Sequence, residues 1–475
     1  MSISRIFSFA ILFSCLTAIP AMAQQAAPQP NIVYILADDL GWGDVGFHGS
    51  DIKTPTLDQL AKTGAQLEQF YAQPMCTPTR AALMTGRYPL RYGLQTLVIP
   101  ASMAYGLSTD EWLLPQALKE VGYTTATFGK WHLGHAKREF WPMQRGFDYQ
   151  YGAQVGEIDY FTHATGGKTD WYRNNKLLKE SGYVTTLIGD DAVHFIDRQN
   201  LNKPFFMYVA FTAPHTPYQA PQEYIDRYKQ IGDVNRRTYA AMITAMDVQI
   251  GRIVEALEKR GLRQNTVIIF HSDNGGNHSA LLAGESEVKG PLPASNGPYR
   301  GGKGDLYEGG TRVASLINWP GKIKPGVVNQ MVQVVDYYPT LAKLAGASTA
   351  KSKPLDGMDV WSTLSENAPS PRAEVVYNIE MFRGAVRQGD WKLVWKTTLP
   401  ARIELFNLVQ DPYEKNNVAD QNPEKVRALQ KRIDSLSGEM SKSLLLTEVF
   451  KGIAKSLPGK PPLLPNENEF YEQGD

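Results

Sequence analysis

The chain has 475 residues, 49 of them Lys or Arg and 48 Asp or Glu, for a formal net charge of +1. A 43% hydrophobic and 20% charged composition is that of an ordinary globular protein; it excludes a disordered chain and a coiled coil, and the aperiodic glycines exclude collagen. With no basic excess to draw in nucleic acid and no acidic tract, any chemistry must come from local sites.

The length predicts about three domains, or one large and one small. Residues 1–23 read as a signal peptide: Arg5 supplies the positive start, Ile6 to Leu16 the short apolar run, and Ala21-Met22-Ala23 the small-residue cleavage site. No later stretch reaches about 18 apolar residues, so the sequence predicts a soluble exported chain, periplasmic or secreted, with no transmembrane segment. Of the two cysteines, Cys15 goes with the leader and Cys76 stays alone. A lone thiol in an oxidising compartment is a liability unless it is buried or chemically converted.

Along the mature chain, apolar runs alternate with amphipathic segments. Asn31 to Ala37 fits a strand buried on both faces, ending at Asp38-Asp39. Thr54-Pro55 opens a helix, with Thr54 as its cap, that runs to Gly64. A helix over Pro115 to Val121 leads into a strand over Tyr123 to Phe128, and Phe205 to Phe211 is another buried strand. Residues 236–260 form a long helix with Met242, Met246, Ile250, Ile253 and Leu257 on one stripe. Thr266 to His271 follows as a strand ending near Asp273-Asn274, and Val313 to Trp319 as a further one.

This alternation predicts an α/β fold, a mostly parallel central sheet sandwiched by helices, spanning 24–347. Sites in such sheets form beyond the carboxyl ends of the strands, where Asp38-Asp39, Lys130-Trp131-His132, His215 and Asp273-Asn274 all fall. Residues 348–475 change texture. Short strands near 375–379, 391–395 and 404–408 and a helix near 423–438 predict a small α+β subdomain, followed by a proline-rich extended tail.

Cys76-Thr77-Pro78-Thr79-Arg80 is the most specific cluster. Pro at +2 and Arg at +4 of a cysteine coincide by chance about once in 400, from usage of roughly 5% each. The run continues as a short helix to Gly86, which puts Cys76 near a helix N-terminus that favours an anion. With C-T-P-T-R-A-A-L-M-T-G-R at 76–87, A-D-D at 37–39, G-K-W-H-L-G at 129–134, A-P-H-T-P at 213–217, S-D-N-G at 272–275 and G-G-K-G-D-L-Y-E-G-G at 301–310, the chain resembles the sulfatase family from about 30 to 420. The resemblance implies an alkaline-phosphatase-like fold and a sulfuric ester hydrolase of arylsulfatase type. It also implies oxidation of Cys76 to formylglycine by a dedicated maturation enzyme, with the aldehyde hydrate as nucleophile.

Each site residue also has a physical reading. Asp38, Asp39, Asp273 and Asn274, joined by the oxygen at position 76, are hard oxygen donors that point to Ca²⁺, with Mg²⁺ the second choice, and away from Zn²⁺. Lys130 and His132, two apart, would share one face of a strand. Lys130 would neutralise sulfate oxygens, and the resemblance gives His132 the second hydrate proton. Arg80 would hold the nucleophile's oxygen with planar donors. His215 and Lys303 suit charge neutralisation and protonation at the leaving oxygen.

Motifs at 145–148 and 156–161 look most like arylsulfatase B-type enzymes, that is N-acetylgalactosamine-4-sulfate hydrolases. Glu157 and Asp159, with His163, Tyr299 and Trp319, would then line a sugar pocket beside Lys130, His215 and Lys303. Two alternatives stay open from sequence: a phosphodiesterase or phosphonate monoester hydrolase of the same superfamily, and a non-catalytic exported sugar-binding protein.

Overall fold

The computed structural model describes residues 29–282 and 290–456. The expected leader over 1–23 and the proline-rich stretch from Pro458 lie outside the described residues. The strands of the main sheet with four or more residues are β1 (Asn31–Ala37), β2 (Ala65–Tyr71), β3 (Thr124–Gly129), β4 (Tyr149–Gly152), β5 (Phe205–Ala210), β6 (Thr266–Ser272), β7 (Ser315–Asn318) and β8 (Gly326–Gln333). Among the described residues the sheet has ten strands, in the order β8-β2-β7-β6-β1-β5-β3-β4 followed by the two-residue strands Tyr172–Arg173 and Lys176–Leu177. Strands β6, β1, β5, β3 and β4 pair in parallel, as do β8 and β2; β7 runs antiparallel between β6 and β2. The carboxyl ends of β1, β2, β3, β5 and β6 therefore share one edge.

Helices cover both faces. They include α1 (Pro55–Thr63), α2 (Cys76–Thr85), α3 (Leu114–Glu120), α4 (Val184–Asp197), α5 (Val234–Lys259) and α6 (Tyr337–Leu344). Alternation along β1 sorts them: Val33, Ile35 and Ala37 join the core under α1, α4 and α5, whereas Ile32, Tyr34 and Leu36 join the core under α2, α3 and α6. The predicted stripe of α5, Met242 to Leu257, is wholly buried there. Each of its five side chains contributes about 1.5–3 kcal/mol by leaving water.

One local expectation fails. Thr54 does not cap α1: its hydroxyl donates to Asp58 and accepts from the Gly46 N–H. The free N–H groups of Thr56 and Leu57 are instead taken, at 3.0 and 2.8 Å, by the buried Asp247 carboxylate of α5. A long-range carboxylate thus does the work of a local cap, which no reading of adjacent residues reveals. Asp247→Ala leaves both donors without this partner, that of Leu57 in the interior, and we expect about 2 kcal/mol of destabilisation in urea melts.

A four-stranded antiparallel sheet follows: β9 (Glu374–Ile379), β10 (Arg383–Gln388), β11 (Trp391–Lys396) and β12 (Arg402–Asn407), in that order, with α7 (Pro423–Gly438) beside it. Val376, Val386, Leu393, Ile433 and Leu436 continue the core beneath α2 and α6, so this subdomain is packed against the main body. Its Lys392 is fully buried between Glu308 (3.0 Å) and Glu414 (2.8 Å). That cluster anchors the segment just after the glycine-rich loop of Lys303.

Candidate active site at the carboxyl edge of the sheet

The strand ends build the site. Beyond β1 and β6 the ladder continues, with Asp38 N–H donating to Ala213 and Asp273 N–H to Ala37, so the two carboxylates stand side by side. Asp39 follows with φ of 62°, and its N–H donates to Asp273 Oδ1 at 3.2 Å. Past β2 the chain turns into α2 with Cys76 as its first residue; Cys76 Sγ lies 3.4 Å from Asp38 Oδ1 and 4.0 Å from Asp39 Oδ1. Two close backbone approaches lock the surrounding loops. Gly129, at φ of 90°, leaves β3 where a Cβ would lie 2.0 Å from the Ala210 oxygen, and at Gly275 a Cβ would lie 1.8 Å from that of Gly309. The second contact ties the S-D-N-G turn to the loop that carries Lys303.

The positive groups interleave with these carboxylates. Lys130 Nζ donates to Asp38 Oδ2 at 2.5 Å, and Lys303 Nζ to Asp39 Oδ2 at 2.8 Å. Arg80, one turn along α2 from Cys76, donates from Nε and Nη2 to Asp273 Oδ2 at 3.1 and 2.8 Å. Its Nη1 donates to the Lys130 carbonyl at 3.0 Å. Burial pushes Asp38 up to about 7, with the neighbouring Asp273 charge adding to it; Lys130 and Arg80 only partly oppose the rise. Burial also acts on Asp273, but there Arg80 and then Lys130 outweigh it and hold the carboxyl low. Crowded carboxylates of this kind call for a cation.

His215 Nδ1 lies 2.7 Å from the Thr216 carbonyl, which fixes the proton there and leaves Nε2 to accept from Lys303 Nζ at 3.2 Å. Burial, reinforced by Lys303, lowers His215 to about 3, so the ring is neutral at neutral pH and Lys303 is the charged donor. His132 Nε2 meets the Ile99 carbonyl at 3.0 Å, while its buried Nδ1 has no protein partner. Burial, then Lys130 and Arg80, keep it well below the usual histidine range.

Cys76, His132, His215, Lys303 and Glu157 line a cleft of about 260 Å³ whose other walls include Leu97 to Ala101 and Val155-Gly156. Asp38, Asp39, Cys76 and His215 each present a ligand atom within 4.8 Å of the others. Buried Asn274 donates from Nδ2 to Asp39 at 2.8 Å, while its Oδ1 has no hydrogen-bond partner. An orphaned amide oxygen beside three carboxylates fits a hard cation.

The structure revises several placements. Lys130 and His132 are not on β3, which ends at Gly129; they lie on the following loop, with His132 at φ of 57°. Arg80 is fully buried behind the carboxylates, so its donors are spent on Asp273 and the Lys130 carbonyl. Of the proposed sugar contacts only Glu157 lines the cleft. The Asp159 carboxylate closes its own turn on Phe161 and Thr162 and accepts from Gln219. His163 contacts the Gly182 carbonyl and packs on Trp171, and Tyr299 packs between Trp42 and Arg312. Trp319 follows antiparallel β7 and sits against Trp361 at the opposite edge of the sheet. The cleft wall at Leu97 to Ala101 was missed, because an apolar loop without polar residues carries no chemical signal.

The fold and this constellation define a hydrolase of ester anions, with a buried Asp-Asp-Cys-His cluster able to hold a metal ion. The Sulfatase family model matches residues 30–347, and that of the N-sulphoglucosamine sulphohydrolase C-terminal region matches 302–439. The chain belongs to the sulfatase family, and it is a sulfuric ester hydrolase. It is 35% identical to mouse (Mus musculus) arylsulfatase J, over 88% of this chain and 77% of that one. It is also 35% identical to human (Homo sapiens) N-acetylgalactosamine-6-sulfatase, over 77% and 71%. The crystal structure of Ps i-CgsB in complex with k-i-k-neocarrahexaose superposes with a TM-score of 0.81 at 34% identity, covering 92% of this chain and 100% of that one.

Proposed function

We propose that this sulfatase is exported and hydrolyses sulfate monoesters of carbohydrates, with Cys76 oxidised to formylglycine by a maturation enzyme and Ca²⁺ held by Asp38, Asp39, Asp273 and Asn274. The observation that carries the reading is the position of Cys76: first residue of α2, on the cleft wall, 3.4 Å from Asp38. A formylglycine hydrate there would supply the nucleophile, and the cation would polarise the sulfate. The chain's own residues do the rest. Lys130 and Lys303, each paired with one carboxylate on one side, bind sulfate oxygens and offset charge in the transition state. Lys303, bonded to neutral His215, delivers the proton to the leaving alcohol oxygen. His132, with Nδ1 unoccupied, takes a proton from the oxygen at position 76 and so releases sulfate. Arg80 is a positioning residue that aligns Asp273 and the Lys130 backbone. Among the described residues no helix is long and apolar enough to cross a membrane.

The N-acetylgalactosamine name of one relative supports an amino-sugar sulfate as substrate, although that relative is named for the 6-sulfate and the motifs at 145–161 pointed to the 4-sulfate. A screen of defined sulfated mono- and oligosaccharides, scored by released sulfate, tests the class and separates the two positions. An enzyme that releases phosphate from aryl phosphates faster than sulfate from any of these esters refutes the reading. A mass spectrum of the Cys76 peptide showing an intact thiol in active protein refutes the formylglycine assignment.

The cation has its own test. Chelation is expected to abolish turnover and lower the melting temperature, and added Ca²⁺ to restore both. Asn274→Ala should weaken Ca²⁺ binding, read by calorimetry, by about ten- to a hundredfold. Unchanged affinity would remove Asn274 from the ligand set.

A further inference from the structure

Beside the active cleft lies a second, larger one of about 780 Å³, and Val155 lines both. Its wall carries three exposed cationic residues, Lys137, Arg138 and Lys179, and the partly buried Lys168, against two carboxylates, Glu139 and Asp170. Asp170 is not available to oppose them: it is buried, and its carboxylate accepts from the Gln154 and Val155 N–H groups at 2.9 Å each. Glu139 is partly offset by Lys137 at 3.8 Å. Exposed positive charge therefore dominates the rim in a protein whose overall charge is +1.

Two further features point to a ligand. Gln154, 1% exposed and part of this wall, has neither carboxamide atom paired, and buried Asn175 Oδ1 is likewise without a partner. Trp141 and Tyr172 meet edge to face at 5.1 Å within the same wall, with the Arg138 guanidinium 5.6 Å from the Trp141 ring centre. Aromatic faces beside amides and cations suit a sugar ring that carries an anionic group.

From this juxtaposition we infer that the second cleft binds a neighbouring unit of the same carbohydrate chain through its negative group, so that the substrate is a polyanionic oligosaccharide rather than a sulfated monosaccharide. The inference rests on the sulfatase reading above and deepens it. The cleft is wide enough for more than one ring, and Val155 places it where a chain leaving the active cleft beside Glu157 would run.

The test uses the Ca²⁺-loaded Cys76→Ala protein, which binds without turning over. Chondroitin 4-sulfate and carrageenan hexasaccharides and their desulfated counterparts are titrated by calorimetry, with and without Lys137→Ala, Arg138→Ala and Lys179→Ala combined. These three positions are exposed, and an unchanged melting curve checks the fold. At least one sulfated probe should bind, lose about tenfold in affinity on the triple substitution, and show a shallower salt dependence. In the active enzyme the same substitutions should raise KM for that oligosaccharide and leave kcat and the turnover of 4-nitrophenyl sulfate unchanged. No binding of either sulfated probe, an affinity indifferent to the three charges, or an equal loss on the desulfated carrageenan chain, which carries no charge, overturns the inference. Charge-dependent binding combined with no sulfate release by the matured enzyme would instead strike the proposed function and leave the second cleft standing.

Discussion

Replacing Cys76 by alanine is expected to reduce turnover by at least about 10⁴-fold while leaving the fold in place. The side chain is small and buried, and its loss removes one sulfur atom from a site otherwise held by ion pairs. Stability should fall by only about 1 kcal/mol, an ordinary cost for trimming a buried atom. Sγ lies against Asp38 and Asp39, and circular dichroism and urea melts check that the body stays intact without it. Serine at the same position keeps an oxygen but has no carbonyl to hydrate. It should be as inactive as alanine in steady state. A Cys76→Ala protein with near-normal rates would dismiss this residue as nucleophile, and the proposed mechanism with it.

The opposite pattern is expected at Arg80, where stability and activity should fall together. The guanidinium is fully buried and makes two bonds to Asp273, one to the Lys130 carbonyl and a 3.6 Å approach to Asp38. Arg80→Ala leaves two buried carboxylates facing each other with Lys130, and less strongly Lys303, to offset them. Breaking a buried pair in this way costs about 3–5 kcal/mol. Urea denaturation should show that loss, and the cation site should be disordered enough to lower turnover by several orders of magnitude. Arg80→Lys should recover little, since a single ammonium cannot reproduce the parallel bonds of the planar fork. Normal stability in Arg80→Ala would mean that the carboxylates are satisfied without it, and its positioning role would be lost.

These two contrasts show where reading the residues succeeded and where it stopped. Local signals were strong where chemistry repeats a period: β1, β5 and β6 are largely apolar runs, and α5 carries its apolar stripe from Met242 to Leu257. They were weak for β2 (AQLEQFY) and β8 (GVVNQMVQ), whose polar residues hide edge-side strands, and for β10 (RGAVRQ), short and polar at both ends. Helix α4, with Thr, Gly and paired Asp residues among its apolar positions, was likewise passed over. At the site, residue types announced their chemistry: acids after strands, a Cys-x-Pro-x-Arg run, a His flanked by prolines. Sugar contacts did not, since Asp159 and Trp319 have the right side chains and the wrong surroundings.

By itself the amino-acid order determined the alternation of buried strands and amphipathic helices, the family, and the set of oxygen donors and cations, because hydrophobic period and residue chemistry are local properties of the chain. Only the tertiary structure decided which cation answers which carboxylate, that Arg80 stands behind Asp273, that Asp247 caps a helix through Leu57, 190 residues away in sequence, and that a basic cleft adjoins the active one. Those facts depend on distances between segments far apart in sequence, and such distances are set by packing, which no local pattern encodes.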